Sequence, residues 1–257
     1  MSFSTGYTFG FAAAVCVVCS LAVASAAVSL KPIQDLNKER DQKRSILSAL
    51  QLPEDGSVPV GEAIDTLWDS RVEVRFITPD GKPVDRSDTS FDLNGDGEVT
   101  LLDAAEARKR ARGTDAPPKL LAVYERRDGD QVGALALEVA GMGLWGPVSG
   151  FLAIAPDASE VIGATFFAPK ETPGLGAEIV EDSFTSQFEG KKLFRDGEPR
   201  GIRVAKGKVS DSDPARGEPE HWVDGVSGAT ITCRGVSEML ERGIESYYAE
   251  FLQKLRT

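Results

Sequence analysis

The sequence predicts an α+β fold: an N-terminal transmembrane helix, then a single domain in which helices pack against a mostly antiparallel sheet. Three observations carry that expectation. Residues 1–30 contain no charged side chain, five short apolar or alternating stretches are bounded by Gly, Pro, Asp or Asn, and the C-terminal stretch repeats apolar residues at spacings of three and four.

The anchor comes first. From Tyr7 to Leu30 the 24 uncharged residues would reach roughly 36 Å as a helix, against a hydrocarbon core of roughly 30 Å. Ala24-Ser25-Ala26 imitates a signal-peptide cleavage site. However, no basic residue precedes the apolar run and the run exceeds a signal-peptide core, which favours an uncleaved anchor over 1–30. Residues 31–52 read as a helical spacer that stops before Pro53, with Ile46, Leu47 and Leu50 forming a short apolar face. Residues 53–257 are the globular domain.

Within it, strands are expected over 71–78, 119–126, 133–140, 150–156 and 160–169. From Thr232 to Arg256, residues Val236, Met239, Leu240, Ile244, Tyr247, Phe251 and Leu255 line one side of an amphipathic helix that covers the sheet. No repeat recurs at a fixed period.

Composition excludes several classes. A formal charge of −11 argues against nucleic acid or anionic headgroups as partners, since both need a basic face. Cys16 and Cys19 lie in the anchor and Cys233 is remote, so the domain has no pair for a disulfide. His221 is the only histidine, which excludes a multi-histidine metal site; a structural role is expected for it. Lys31, Lys38, Arg40, Lys43 and Arg44 follow the anchor, and the positive-inside rule alone would keep the domain in the cytoplasm. Long domains cross largely regardless of flanking charge, so orientation needs other evidence.

Four stretches could carry chemistry. "GMGLWG" (141–146) fits the dinucleotide fingerprint, but Pro147 and a strand follow where a helix must open, so a glycine turn is expected, with Trp145 packed below it or walling a planar ligand. "DLNGDGEVTLLD" places Asp92, Asn94, Asp96, Glu98 (through its carbonyl) and Asp103 at calcium-loop offsets, with Gly97 at the sharp turn. Two readings stand for this segment at 92–103, a Ca²⁺ site or an Asn/Asp/Gly turn with no ion.

"DGVSGATIT" (224–232) precedes a helix expected near Thr232. Free N–H groups and the dipole of that helix favour a phosphate, Gly225, Gly228 and Ala229 allow close approach, and Ser227, Thr230 and Thr232 offer hydroxyls. An ordinary N-cap loop is the alternative. "ETPGLGAEI" (171–179) reads as a strand-to-helix connection, or as flat backbone laid against an aromatic ring.

Taken in order, the anchor, "GLWGPVSGF", "ETPGLGAEI", "GKKLF", "GIRVAKG" and "HWVDGVSGATIT" resemble the FMN-binding domain family of the C subunit of the sodium-translocating NADH:quinone oxidoreductase. The G subunit of the Rnf complex is a more distant relative. The resemblance implies FMN joined to Thr230 by a phosphoester, formed by a separate flavin transferase, with Asp224, Ser227, Gly228 and Ala229 as recognition or phosphate-supporting residues. It implies that Leu144, Trp145, Thr172, Pro173, Gly174 and Leu175 stand beside the isoalloxazine, that Glu171 belongs to the same set, and that Lys206 supplies charge near the phosphate.

The implied role is relay of single electrons between membrane partner subunits, without an NADH site of its own. The implied place is the bacterial inner membrane, single-pass, with the domain on the periplasmic side. Two features depart from the family: no basic residue precedes the anchor, and the calcium-like loop is not a family feature. The alternatives are an Rnf-type electron-transport subunit and a membrane-anchored calcium-binding module without flavin.

Overall fold

In the computed structural model, which describes residues 4–111, 116–211 and 217–256, one helix of 45 residues, α1 (Thr5–Ala49), opens the chain. The first three residues of the expected anchor lie outside the described residues. Its apolar part is long enough to cross a membrane and none of its most apolar window is buried against protein. The chain divides into a unit ending at Lys43 and a unit beginning at Arg44. The globular unit thus starts earlier than residue 53, because Ile46, Leu47, Ala49, Leu50 and Leu52 are all buried in its core.

After α2 (Glu62–Arg71), six strands form one antiparallel sheet: β1 (Val72–Ile77), β2 (Pro83–Val84), β3 (Leu121–Asp128), β4 (Gln131–Met142), β5 (Pro147–Ile154) and β6 (Val161–Phe167), in the order β2-β1-β3-β4-β5-β6. All five expected strands are present. Side chains alternate across the pleat, so each strand serves two cores. Leu121, Val123, Leu135, Leu137, Val139, Leu152 and Ile154 face one of them. Ala122, Tyr124, Ala134, Ala136, Phe151 and Ala153 face the other, with the end of α1, α2 (through Ile64 and Trp68) and α3 (Leu101–Ala111). Apolar residues on both faces explain why these strands read as nearly continuous apolar runs.

The first core is roofed by α5 (Thr230–Arg242) and α6 (Ala249–Leu255), with a 3₁₀ turn at Gly176–Val180 and α4 (Asp182–Thr185) beside them. Short pairs β7–β8 (Phe194–Arg195, Glu198–Pro199) and β9–β10 (Arg203–Val204, Trp222–Val223) complete the unit.

The single C-terminal helix expected over Thr232–Arg256 is instead two helices joined by a π turn, Gly243–Tyr247. A Cβ on Gly243 would lie 2.9 Å from Val139, so the helix runs close against β4 there. The extra residue of the π turn advances the register by one. Tyr248, not Tyr247, therefore enters the core at 1% exposure, and its hydroxyl reaches the carbonyls of Ala122 and Glu138 at 3.3 and 3.4 Å. Burial pushes its hydroxyl pKa up, beyond the ordinary tyrosine range.

Candidate functional site

The helix at the candidate site begins at Thr230, two residues earlier than the sequence suggests. Ala229 occupies the N-cap position and no side chain caps the helix, so the first-turn N–H groups have no side-chain acceptor. Gly228 has φ of +78°, a left-handed turn that glycine adopts at no steric cost, and it lies so close to Leu175 that a Cβ would come within 2.7 Å of it. Gly225 is pressed on the next segment: a Cβ there would stand 2.1 Å from the Ala205 carbonyl. Bulk is absent from this stretch because a side chain at Gly225 would meet the Ala205 backbone and one at Gly228 the Leu175 side chain.

The three hydroxyls are not equivalent. Ser227 and Thr230 are exposed, whereas Thr232 is 1% exposed and donates its hydroxyl to Glu171 Oε2 at 2.6 Å. Thr230 lines a cleft of about 400 Å³ whose wall includes Arg203, Lys206, Trp222, Cys233 and Arg234. Arg203 pairs with Glu241 and lies over the Trp222 ring. Among the described residues Lys206 and Arg234 make no ion pair, which leaves two cations free beside a helix N-terminus. That donor set fits a phosphate monoanion or diester. Burial pushes the Cys233 thiol up, so it stays protonated at neutral pH.

Asp224 does not add to this donor set. Its Oδ1 accepts the Val209 N–H at 2.7 Å, and its own N–H donates to Gln187 Oε1 at 2.7 Å, so it braces the loop that carries Lys206. His221 is buried and does not line the cleft.

The "GMGLWG" stretch makes a hairpin turn between β4 and β5, closed by the Gly143 N–H on the Gly146 carbonyl at 2.8 Å, with no helix following. Trp145 is 64% exposed and Leu144 48%, so neither is packed below the turn. Leu175, Ile231 and Met142 are also exposed apolar side chains. Thr172, Pro173 and Gly174 are exposed in the same loop, held by the Gly174 N–H on Glu178 Oε1 at 3.1 Å.

Glu171 differs from its neighbours. It is 6% exposed, and its two oxygens accept from Trp145 N–H (2.8 Å) and Thr232 Oγ1 (2.6 Å). It therefore ties the tryptophan loop and its own loop to α5. The sequence marked Thr232 only as one of three hydroxyls open to a phosphate, not as the partner of Glu171, and it did not mark Arg203 or Arg234. Of these, only Arg234 was recoverable, as the residue one helical turn after Thr230.

The loop at 92–103 is far more ordered than its composition suggests. Gly97, at φ +95°, donates its N–H to Asp92 Oδ2 at 2.9 Å, Gly95 donates to Asp92 Oδ1 at 2.6 Å, and Asp96 N–H reaches Asn94 Oδ1 at 3.0 Å. Glu98 is exposed and donates its N–H to Asp96 Oδ1. Asp103, fully buried, takes the N–H groups of Leu93, Asn94 and Thr100 and the Thr100 hydroxyl, in the manner of a capping box for α3. Burial pushes its carboxyl pKa up, but the Thr100, Leu93 and Asn94 donors outweigh burial and hold it below the ordinary aspartate value. Carboxylate oxygens of Asp92, Asp96 and Asp103 come within 4.8 Å of one another.

Comparison with known proteins bears on the same residues. The FMN-binding domain family matches residues 143–245, a span that holds the tryptophan turn, Glu171 and Thr230. The C subunit of the Na(+)-translocating NADH-quinone reductase of Yersinia pestis is 34% identical over 98% of this chain and 94% of its own, and that of Pseudomonas aeruginosa is 34% identical over 98% and 97%. The crystal structure of the same C subunit from Parabacteroides distasonis superposes with a TM-score of 0.67 at 30% identity, covering 87% of this chain and 96% of that one.

Proposed function

Because this chain belongs to the family of Na(+)-translocating NADH-quinone reductase C subunits, we propose that it is the FMN-bearing electron-carrier subunit of such a reductase, with the flavin esterified to Thr230. One observation carries the assignment to Thr230. Of the three candidate hydroxyls, Thr232 is buried and engaged, and Thr230 alone is both exposed and on the wall of the cleft that holds Lys206 and Arg234.

The bound flavin supplies one-electron chemistry, and the chain supplies position. Thr230 tethers the phosphate, Lys206, Arg234 and the uncapped first turn of α5 offset its charge, and Trp145, Leu144 and Leu175 wall the ring. Thr172, Pro173 and Gly174 border it, while Ser227, Gly228 and Ala229 keep bulk away from the ester. Asp224 holds the Lys206 loop rather than the phosphate itself. We also propose that residues 1–30 anchor the chain with the globular part, 53–257 and the preceding core residues, on the periplasmic side. There it meets a flavin transferase once and the other reductase subunits thereafter, passing single electrons between their centres.

The test is intact mass and in-gel flavin fluorescence of the full chain from cells with and without a flavin transferase. The wild type should carry one flavin that survives denaturation, and Thr230→Ala should carry none. Fluorescence persisting in Thr230→Ala would move the ester to Ser227.

A second reading concerns the loop at 92–103. Carboxylate oxygens of Asp92, Asp96 and Asp103 lie within 4.8 Å of one another, at the offsets of a calcium loop, and on that ground we propose Ca²⁺ bound by Asp92, Asn94, Asp96, the Glu98 carbonyl and Asp103. Its role would be to stabilise the fold.

A further inference from the structure

A buried carboxylate ordinarily has a cation beside it. Glu171 has none among the described residues; its compensation is two neutral donors, the Trp145 N–H and the Thr232 hydroxyl. Those donors belong to different elements, the β4–β5 turn and the first turn of α5. The space for the carboxylate is made by two glycines. A Cβ on Gly143 would stand 2.5 Å from Oε1, and one on Gly176 would stand 2.3 Å from Oε2 and 2.8 Å from Thr232 Oγ1. Three glycine-rich stretches thus close around one charged group.

That arrangement bears on Thr230. Helix α5 starts at Thr230 with no side-chain cap, and an uncapped first turn frays. Thr232 lies in the same turn, and its bond to Glu171 fastens this turn to the 171–176 loop, whereas the other side-chain bond of the turn, the Val226 N–H on Cys233 Sγ at 3.4 Å, ties it only to the loop that leads into the helix. Hydrogen bonds to an ionised acceptor are roughly twice as strong as neutral ones.

We propose that Glu171 is a positioning residue that latches the first turn of α5 to the tryptophan turn, so that Thr230 is presented for esterification and the ring seats against Trp145. The inference rests on the flavin reading above. Loss of the latch leaves the Thr230 hydroxyl in place but frees the turn that presents it, and it releases Trp145 from its register.

Thr232→Val tests this with little change of volume, in the full chain coexpressed with the flavin transferase. Flavin loading followed by intact mass should slow about tenfold, the loss expected for a hydrogen bond to a charged group. Emission from the flavin that is attached should rise as Trp145 moves away. Thr232→Ser, which restores the hydroxyl, should recover both. Glu171→Ala should match Thr232→Val or be slower, and the double variant should be no slower than the worse single one, because both remove the same link.

Should Glu171→Ala fail to fold, the Val and Ser pair at position 232 still decides. Loading and emission of Thr232→Val equal to the wild type, or losses that multiply in the double variant, overturn the latch. A wild-type chain with no covalent flavin would overturn the flavin reading instead, so the two failures are told apart.

Discussion

Adding one methyl group at Gly143 or Gly176 attacks the same carboxylate from opposite sides, and the outcome can be worked from the distances. Neither glycine has a left-handed backbone, so alanine meets no conformational strain there, and the whole cost is steric. Cβ atoms at 2.5 and 2.3 Å from the Glu171 oxygens must displace a side chain that is buried and bonded at both oxygens. Losing one such bond costs about 1.5–3 kcal/mol, and alanine returns about 0.4–1 kcal/mol by restricting the unfolded chain. The net is about 0.5–2.6 kcal/mol, or roughly 1–10 °C in Tm for a domain of this size. Gly217, which among the described residues has no atom within 4 Å of its would-be Cβ, is the control, and Gly217→Ala should melt with the wild type or slightly above it. Thermal melts of the full chain in detergent read all of this. Because either methyl displaces the same side chain, Gly143→Ala/Gly176→Ala should lose less than the sum of the two single variants. Additive losses, or Gly176→Ala melting with Gly217→Ala, would refute the reasoning.

Trp145→Ala removes an exposed side chain, so it should leave Tm and flavin loading unchanged while shifting flavin emission and midpoint potential; unchanged spectra and potential would remove Trp145 from the ring site. Chelator should lower Tm by an amount that depends on free Ca²⁺, and Asp92→Ala or Asp96→Ala should abolish that dependence; a melt blind to chelator leaves the loop as a hydrogen-bonded turn. Asp103 has a folded-state pKa below the ordinary value of 3.8. Its contribution is therefore complete above that value and lost as pH falls through the folded pKa, so Asp103→Asn should lower stability at neutral pH and flatten the acid limb between those two values. A C-terminal alkaline phosphatase fusion should be active and protease should digest the domain in spheroplasts; protection with an inactive fusion would reverse the proposed orientation.

The sheet was legible because its five long strands each show apolar runs of strand length between turn residues, and both faces are covered. Strand order was not, since pairing depends on contacts that no local pattern encodes. The two-residue strands β7 to β10 are too short for a period of two to be seen. The end of α1 illustrates a different limit. Ile46, Leu47 and Leu50 were recognisable as an apolar face, but a short face at the end of a polar helix looks the same whether it meets a core or merely approaches one. The π turn had no signature beyond Gly243, and a helical wheel carried through it assigns Tyr247 to the core in place of Tyr248.

At the site, residue type was informative and direction was not. Thr230 and Thr232 are the same residue two positions apart, and a phosphate-binding loop offers no chemical reason to prefer one. The helix supplies the reason. At about 100° per residue, side chains two apart point to nearly opposite sides, so when one turns inward the other must turn out. Starting α5 at Thr230 sends Thr232 onto Glu171 and Thr230 onto the cleft with Lys206 and, one turn on, Arg234. Gly143 and Gly176 take their meaning from the same event, because only a carboxylate reaching Thr232 needs the room they leave. A residue that looks interchangeable in the sequence thus becomes the fastening, and its neighbour is left exposed on the cleft.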